Sequence, residues 1–217
     1  MNETLSKVVS FPTPRGDICV HSFCSPRQIR QYTFDDQSRS QPDFKSLYTR
    51  RQTLEDHAGY PDANVVLAIA DQKHIIGFGV LAYPEPGERW AELGPKIMIE
   101  LKAIEVCRAW RSLGVAHRIM EMILAHPHIE DKITYLVGYS WTWDLAGTDM
   151  DVTQYRQKLV NLYQSYGFKG YETNEPNVCL KPENFLMCRI GNNISQLFKD
   201  RFKWLRFGLR PWNWLVG

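Results

Sequence analysis

The sequence has no run of about 18 apolar residues, the length a helix needs to cross a bilayer, so no membrane span is expected. Met1-Asn2-Glu3-Thr4 lacks a basic patch leading into an apolar stretch, and no signal peptide is expected. The five cysteines (19, 24, 107, 179, 188) include no C-x-x-C pair. An odd, scattered set argues against a disulfide framework or a zinc site and fits a reducing cytoplasm. Net charge is small: 26 basic residues against 24 acidic ones leave +2. General nucleic-acid binding needs more than that. Internal repeats, low-complexity segments and linker-like stretches are also missing.

What is present is a 44% hydrophobic content over 217 residues, enough for a sizeable core. The charge is unevenly placed. Beyond residue 193, Lys199, Arg201, Lys203, Arg206 and Arg210 stand against Asp200, a net +4 that leaves the rest near −2. The expected organisation is one domain over 1–192 and a basic amphipathic extension over 193–217. In that extension Leu197, Phe198, Phe202, Leu205 and Phe207 recur at roughly helical spacing. Its apolar side would dock on the domain and its basic side would face an acidic partner; a membrane surface is the less favoured alternative.

Along the chain, residues 17–24 read as a first strand, and Ser25-Pro26 as the start of a short helix. A helix is expected over 44–58, ending near Gly59 and Pro61. Two β-rich runs, 65–70 and 75–82, flank a polar turn and read as a hairpin. Strands follow over 97–107 and 133–139, with a helix over 115–125 between them. Asp151 suits the N-cap and Gly167 the stop of a helix over 152–166. Strands near 168–173 and 184–190 and a helix over 194–206 complete the order. This predicts a mixed α/β sheet with helices on both faces.

Within "IMIELKAIEVCRAWRSLGVAHRIMEMIL", 97–124, a strand gives way to a helix across Arg111-Ser112-Leu113-Gly114-Val115-Ala116. The pattern R-x-x-G-x-A is weak alone. At a strand-to-helix junction it is more specific, because the first N–H groups of a helix point outward and its dipole adds positive charge. With Arg108 and Arg111 nearby, the arrangement suits a pyrophosphate. A surface turn with solvated arginines is the alternative.

Those residues, together with "NLYQSYGF" at 161–168 and the hairpin at 65–82, resemble the GCN5-related N-acetyltransferases. The resemblance covers roughly residues 60–190. It implies the GNAT fold, a mixed central sheet flanked by helices, here with a C-terminal helical extension. It implies acetyl-CoA as co-substrate, held by Arg108, Arg111, Ser112, Leu113, Gly114, Val115 and Ala116 and by strand backbone at Ile104 and Val106. A closer resemblance, to one branch of protein lysine acetylases, covers nearly the whole chain. It rests on "ERW" (88–90), "AIEV" (103–106), "WTWDLAGT" (141–148), "CRIG" (188–191) and "RFKWLRF" (201–207). It implies direct acetyl transfer in a ternary complex to a lysine of AMP-forming acetyl-CoA synthetase, which switches that enzyme off.

Acetylating a lysine requires a base, since only about 1 amine in 2,500 is neutral at pH 7 with a pKa near 10.4. Glu100 and Glu105, five apart, face opposite sides of a regular strand. In the resembled family the catalytic glutamate lies eleven residues before the first motif residue, which is Glu100 here; Glu105 is the second choice. The resemblance places the general acid at Tyr163, while Tyr155 and Tyr166 lie on the apolar stripe. Trp141, Trp143 and Asp144 follow a strand end and are read as a lysine-binding wall, with core packing and a helix cap as the alternative. His126-Pro127-His128 has no third ligand nearby, and no metal is expected. Cys107 is read as an inert thiol. Acetylation of a small amine and non-catalytic sensing of acetyl-CoA are the competing functions.

Overall fold

The computed structural model describes residues 5–35 and 50–210. Residues 1–4, the first part of the helix expected over 44–58, and the aromatic tail from Pro211 onward lie outside the described residues. The chain divides into two compact units, one of residues 1–82 and 101–126, the other of residues 83–100 and 127–217. Among the described residues no helix is long and apolar enough to cross a membrane.

The first unit is built on antiparallel strands β1 (Val8–Thr13), β2 (Gly16–His21), β4 (Asn64–Ala70) and β5 (His74–Ala82), paired in that order. A two-residue strand, β3 (Thr33–Phe34), pairs parallel with β5. Strand β1 was not expected from the sequence. Its side chains are mostly exposed, so it shows no hydrophobic alternation, and it holds Pro12, which suits a strand at a sheet edge. The expected hairpin is present. Its connection is Asp71-Gln72-Lys73; Asp71 (φ 52°) and Gln72 (φ 54°) are both left-handed, and the Lys73 N–H closes the turn on the Ala70 carbonyl at 3.0 Å.

Helix α1 (Pro26–Ile29) starts in the expected place, with a reciprocal capping box between Ser25 and Gln28. Helix α2 (Arg51–Gly59) ends where Gly59 predicts. Ile29 of α1 and Leu54 of α2 pack on Val65, Leu67 and Ile69 of β4 and on Ile75, Phe78 and Val80 of β5. The alternation on β5 changes because Gly77 pairs with Ala68 and Ile75 with Ile69, which leaves Ile76 as a bulge. Gly77 and Gly79 therefore face the other side, where helix α3 (Val115–Leu124) lies. A Cβ on Gly79 would come within 2.6 Å of Ile119, and one on Gly77 within 2.8 Å of the Glu105 carbonyl oxygen. Buried Asn64 ties the far end of α3 to the sheet, accepting from the Phe23 N–H at 2.8 Å and donating to the Met122 carbonyl at 3.0 Å. With helices on both faces, all of β4 is buried.

Strand β6 (Met98–Val106) begins in the second unit and continues into the first. In the second unit its start pairs parallel with β7 (Ile133–Gly138), through Met98↔Ile133, Ile99↔Thr134 and Glu100↔Tyr135. Strand β9 (Phe185–Ile190) pairs antiparallel with β7 and with β8 (Lys169–Tyr171). Helix α4 (Val152–Gln164) is capped by a box between Asp151 and Gln154 and stops before Gly167 (φ 83°), as expected. A short helix α5 (Pro176–Cys179) was not expected. The 193–217 extension contributes helix α6 (Gln196–Leu205), whose Phe202 and Leu205 are buried with Trp90, Met98, Tyr135, Leu186 and Cys188. The basic side chains around α6 are partly used within the molecule. Arg206 donates to the Glu172 carbonyl at 2.9 Å and covers Tyr171 and Phe202. Arg210 forms a two-pronged ion pair with Glu92 at 2.7 and 2.5 Å. Leu197, expected on the docked side, is instead 57% exposed, because the buried face of α6 is set by Phe202 and Leu205; Trp204 is 49% exposed.

Candidate active site

In the first unit, the segment that follows β6 makes a tight exit. Cys107 N–H donates to the Ile76 carbonyl at 2.8 Å, and Arg108–Trp110 form a single 3-10 turn. Trp110 is buried, with the Arg15 guanidinium 6.0 Å over its ring. Arg111 folds back so that Nε donates to the Val106 carbonyl at 3.2 Å. The chain then turns through two left-handed residues, Ser112 (φ 62°) and Gly114 (φ 82°). Gly114 is the N-cap of α3, and no side chain caps the helix there. A Cβ at Gly114 would meet nothing within 4 Å, so glycine is needed for its backbone angle and not for room.

Of the residues expected to hold a pyrophosphate, Ser112 and Gly114 are exposed and Arg108, Arg111, Leu113 and Ala116 are half-buried. Val115 is buried and points into the core, leaving its backbone as the part that could contact a ligand. The open end of a ten-residue helix, its dipole and two arginines suit a phosphate chain. Ile104 and Val106 lie half-buried on the last part of β6. Glu105 is on the opposite side of that strand from both. It shares a side with Ala103, which packs against the α1–α2 core.

In the second unit, Glu100 shares its face with Met98 and with its ladder partner Tyr135, whose ring lies 5.2 Å from Trp90. Tyr135 is fully buried, and its hydroxyl has no hydrogen bond of ordinary geometry among the described residues. Burial, followed by the negative charges of Glu100 and Glu88, drives its pKa far upward, so the phenol stays neutral. Tyr139 is shifted upward as well, by burial first and then by Glu175 and Glu100.

The aromatic run after β7 is divided by the fold. Trp141 is 48% exposed and stacks on Tyr139, ring centres 4.9 Å apart at 12°. Trp143 turns inward against Tyr155 and Phe185, each 5.9 Å away. The Asp144 carboxylate accepts from the Ala146 N–H at 3.3 Å. Tyr163 is the buried residue of α4, set between Phe168 at 6.1 Å and Phe185 at 6.5 Å. Burial pushes its pKa up.

His126 is buried in the first unit, its Nε2 3.0 Å from the Asp62 carbonyl. His128, in the second, pairs with Asp131 at 3.5 Å. Among the described residues no group of three His, Cys, Asp or Glu is arranged to hold a metal ion.

Sequence reasoning missed the residues that position these groups. Gly77-x-Gly79 inside an apolar strand is a readable sign of close backbone approach, and it seats α3 directly on β5. Asn184 was missed too: it carries no local motif, and it joins the Ser140 N–H to the Asn177 carbonyl at 2.8 Å each.

The chain matches no protein-family profile. It is 33% identical over 195 residues to the acetoin utilization protein AcuA of Bacillus licheniformis, spanning 90% of this chain and 91% of that one. AcuA of Bacillus subtilis is 32% identical over the same shares. A crystal structure of an acetoin utilization protein from Exiguobacterium sibiricum superposes with a TM-score of 0.84 at 24% identity, covering 93% of this chain and 94% of that one. A GNAT-family acetyltransferase from Streptococcus pneumoniae superposes with a TM-score of 0.52 at 15% identity, over 80% of this chain and 99% of that one. The last two likenesses agree in fold, and the first two extend a third of identical residues along nine-tenths of the sequence. The chain has the fold of a GNAT-family acetyltransferase and belongs to the acetoin utilization protein AcuA family.

Proposed function

We propose that the protein is an acetyl-CoA-dependent protein lysine N-acetyltransferase that inactivates AMP-forming acetyl-CoA synthetase by direct transfer in a ternary complex. The observation that carries this reading is the open N-terminus of α3 at left-handed Gly114, directly after β6 and flanked by Arg108 and Arg111. Backbone N–H donors and two guanidiniums match the charge and the acceptor-only oxygens of a pyrophosphate. Membership of the AcuA family supports it.

Acetyl-CoA, when bound, supplies an acetyl group activated as a thioester. Ser112, Leu113, Gly114, Val115 and Ala116 offer backbone donors to its phosphates, and Arg108 and Arg111 offer charge. Glu100 takes the proton from the lysine amine as its nitrogen bonds to the acetyl carbon. Backbone N–H groups near Ile104 and Val106 hold the negative charge that develops on the carbonyl oxygen. Tyr163, held protonated by its burial, returns a proton to the departing sulfur. Glu105, on the strand's other side, takes no step. No metal takes part.

The test is incubation of the full chain with radiolabelled acetyl-CoA and purified AMP-forming acetyl-CoA synthetase. Label on one synthetase lysine, with loss of synthetase activity, is the expected result. Acetyl-CoA binding with no label on that protein, but with label on a small amine, would overturn the substrate assignment.

A further inference from the structure

The second unit holds a cavity of about 770 Å³, none of whose lining residues takes part in the proposed acetyl transfer. Strand β8 and the residues after it, helix α5, the start of β9 and Arg156 of α4 line it, with Phe207 from beyond α6. Its apolar part is substantial. Phe185 and Leu186 are buried, and Tyr171, Val178 and Phe207 are half-buried. Arg206 holds one wall together. Its guanidinium lies over the rings of both Tyr171 and Phe207, 5.1 and 5.3 Å from their centres, and donates to the Glu172 carbonyl at 2.9 Å. A cavity of this size, apolar with a few placed polar groups, is the common form of a small-molecule site.

The polar groups of the lining fall into two sets. One set is engaged within the protein. Thr173 Oγ1 donates to the Arg206 carbonyl at 2.6 Å, and the Cys179 thiol to the Thr173 carbonyl at 3.4 Å. Asn184 is bonded to Ser140 and Asn177. The other set is two cations. Arg156 lies over the Phe185 ring, 5.5 Å from its centre, and its Nε donates to the Glu183 carbonyl at 3.1 Å. That bond fixes the guanidinium and leaves its two Nη groups as an open fork. Lys181 is exposed, and among the described residues neither cation has a carboxylate partner. Glu172 is the acid among the lining residues, one negative charge against two positive ones.

We propose that this cavity is a binding site for a small organic acid, with the carboxylate on Arg156 and Lys181 and the apolar body against Val178, Phe185 and Phe207. A guanidinium fork matches a carboxylate through two parallel N–H···O bonds, and lysine adds charge without a geometric demand. A neutral apolar ligand would cover the Nη groups and leave them unbonded, which is costly. A cationic ligand would meet a net positive lining. The site rests on side-chain cations of the second unit and is independent of the acetyl-transfer reading.

The test uses the full chain and anilinonaphthalene sulfonate, an aromatic anion whose fluorescence rises in an apolar site. Saturating coenzyme A is present throughout, which keeps the probe from the helix terminus at Gly114. The wild type should bind the probe saturably. Arg156→Gln/Lys181→Gln should weaken binding about tenfold, as loss of charge-assisted hydrogen bonds implies. Lys181→Gln alone, at an exposed position that packs nothing, should give part of that loss and guards against a folding defect. Glu172→Gln should tighten binding about twofold, a gain that misfolding does not produce. Hexanoate should displace the probe at about tenfold lower concentration than hexanol, which lacks the charge, or acetate, which lacks the apolar body. Absence of saturable binding by the wild type, equal affinity in the wild type and the double variant, or displacement by hexanol as readily as by hexanoate would overturn the site.

Discussion

Gly191 lies directly on the backbone of Glu130: a Cβ at residue 191 would overlap the Glu130 carbonyl, and Asn193 N–H donates to that same carbonyl at 2.9 Å. The Glu130 side chain is held as well, by Arg189 and by the Asn192 N–H at 2.9 Å. The end of β9 is thus clamped to the 3-10 turn before β7.

Gly191→Ala should destabilise the protein by about 2 kcal/mol or more, because the obstacle is backbone and cannot rotate away. Urea unfolding checks this. A midpoint equal to wild type would mean that the two segments separate easily.

Glu130 should contribute an acid-sensitive increment of stability. Its pKa is lowered by Arg189 first and by the Asn192 N–H second. A lowered folded pKa gives stability that is complete above the unfolded glutamate value, near 4.3, and is lost as pH falls through the folded value. With 35% of the side chain exposed, the increment is below about 1 kcal/mol. Melting curves between pH 6 and pH 3 should therefore fall less steeply for Glu130→Gln than for wild type.

Glu100→Gln should slow acetyl transfer by about a hundred- to ten-thousand-fold while acetyl-CoA affinity is retained. The deficit should narrow at high pH, where more of the lysine is already neutral. A near-normal Glu100→Gln beside an inactive Glu105→Gln would reverse the assignment of the two strand faces.

Gly114→Ala and Gly114→Glu separate conformation from charge. The space beside Gly114 is open, so alanine is opposed only by φ 82°, at about 1 kcal/mol. Glutamate adds a negative charge at the helix N-terminus. Calorimetry should show a modest loss of acetyl-CoA affinity for alanine and a far larger one for glutamate. Equal affinities for all three proteins would remove the phosphate role of this turn.

Arg206→Glu should unfold part of the second unit and not act only on partner association. Arg206 covers three aromatic rings and donates to Glu172, while its carbonyl accepts from Arg89 at 3.0 Å. Lys203, paired with surface Asp200, is the better residue for testing steering. A lower melting temperature for Arg206→Glu than for Lys203→Glu is expected.

Local chemistry wrote itself into the sequence in many places. Ser25 and Gln28, and Asp151 and Gln154, are capping boxes whose two partners lie within one turn, so spacing alone reveals them. The hairpin at Asp71-Gln72, the strand-to-helix turn at Gly114 and the stop at Gly167 depend on backbone angles that nearby residues dictate. Strand β1 was hidden because an exposed edge strand places no demand on hydrophobic alternation. Tyr163 could be assigned to a helix, but its burial depends on Phe168 and Phe185 arriving from other segments.

The sequence by itself determined most of the elements, several of their caps, and the strand–loop–helix junction that suits a pyrophosphate, because each depends on interactions a few residues apart. Only the tertiary structure decided which aromatic residues are exposed and which are core. Trp141 and Trp143 are two residues apart, yet one stacks outward on Tyr139 and the other is turned in against Phe185. Trp90 reaches Tyr135, and Asn184 joins Ser140 to Asn177, contacts that no local spacing announces. Burial and electrostatic proximity are properties of the packed chain, since they depend on distance in space and on excluded water; spacing along the sequence carries neither.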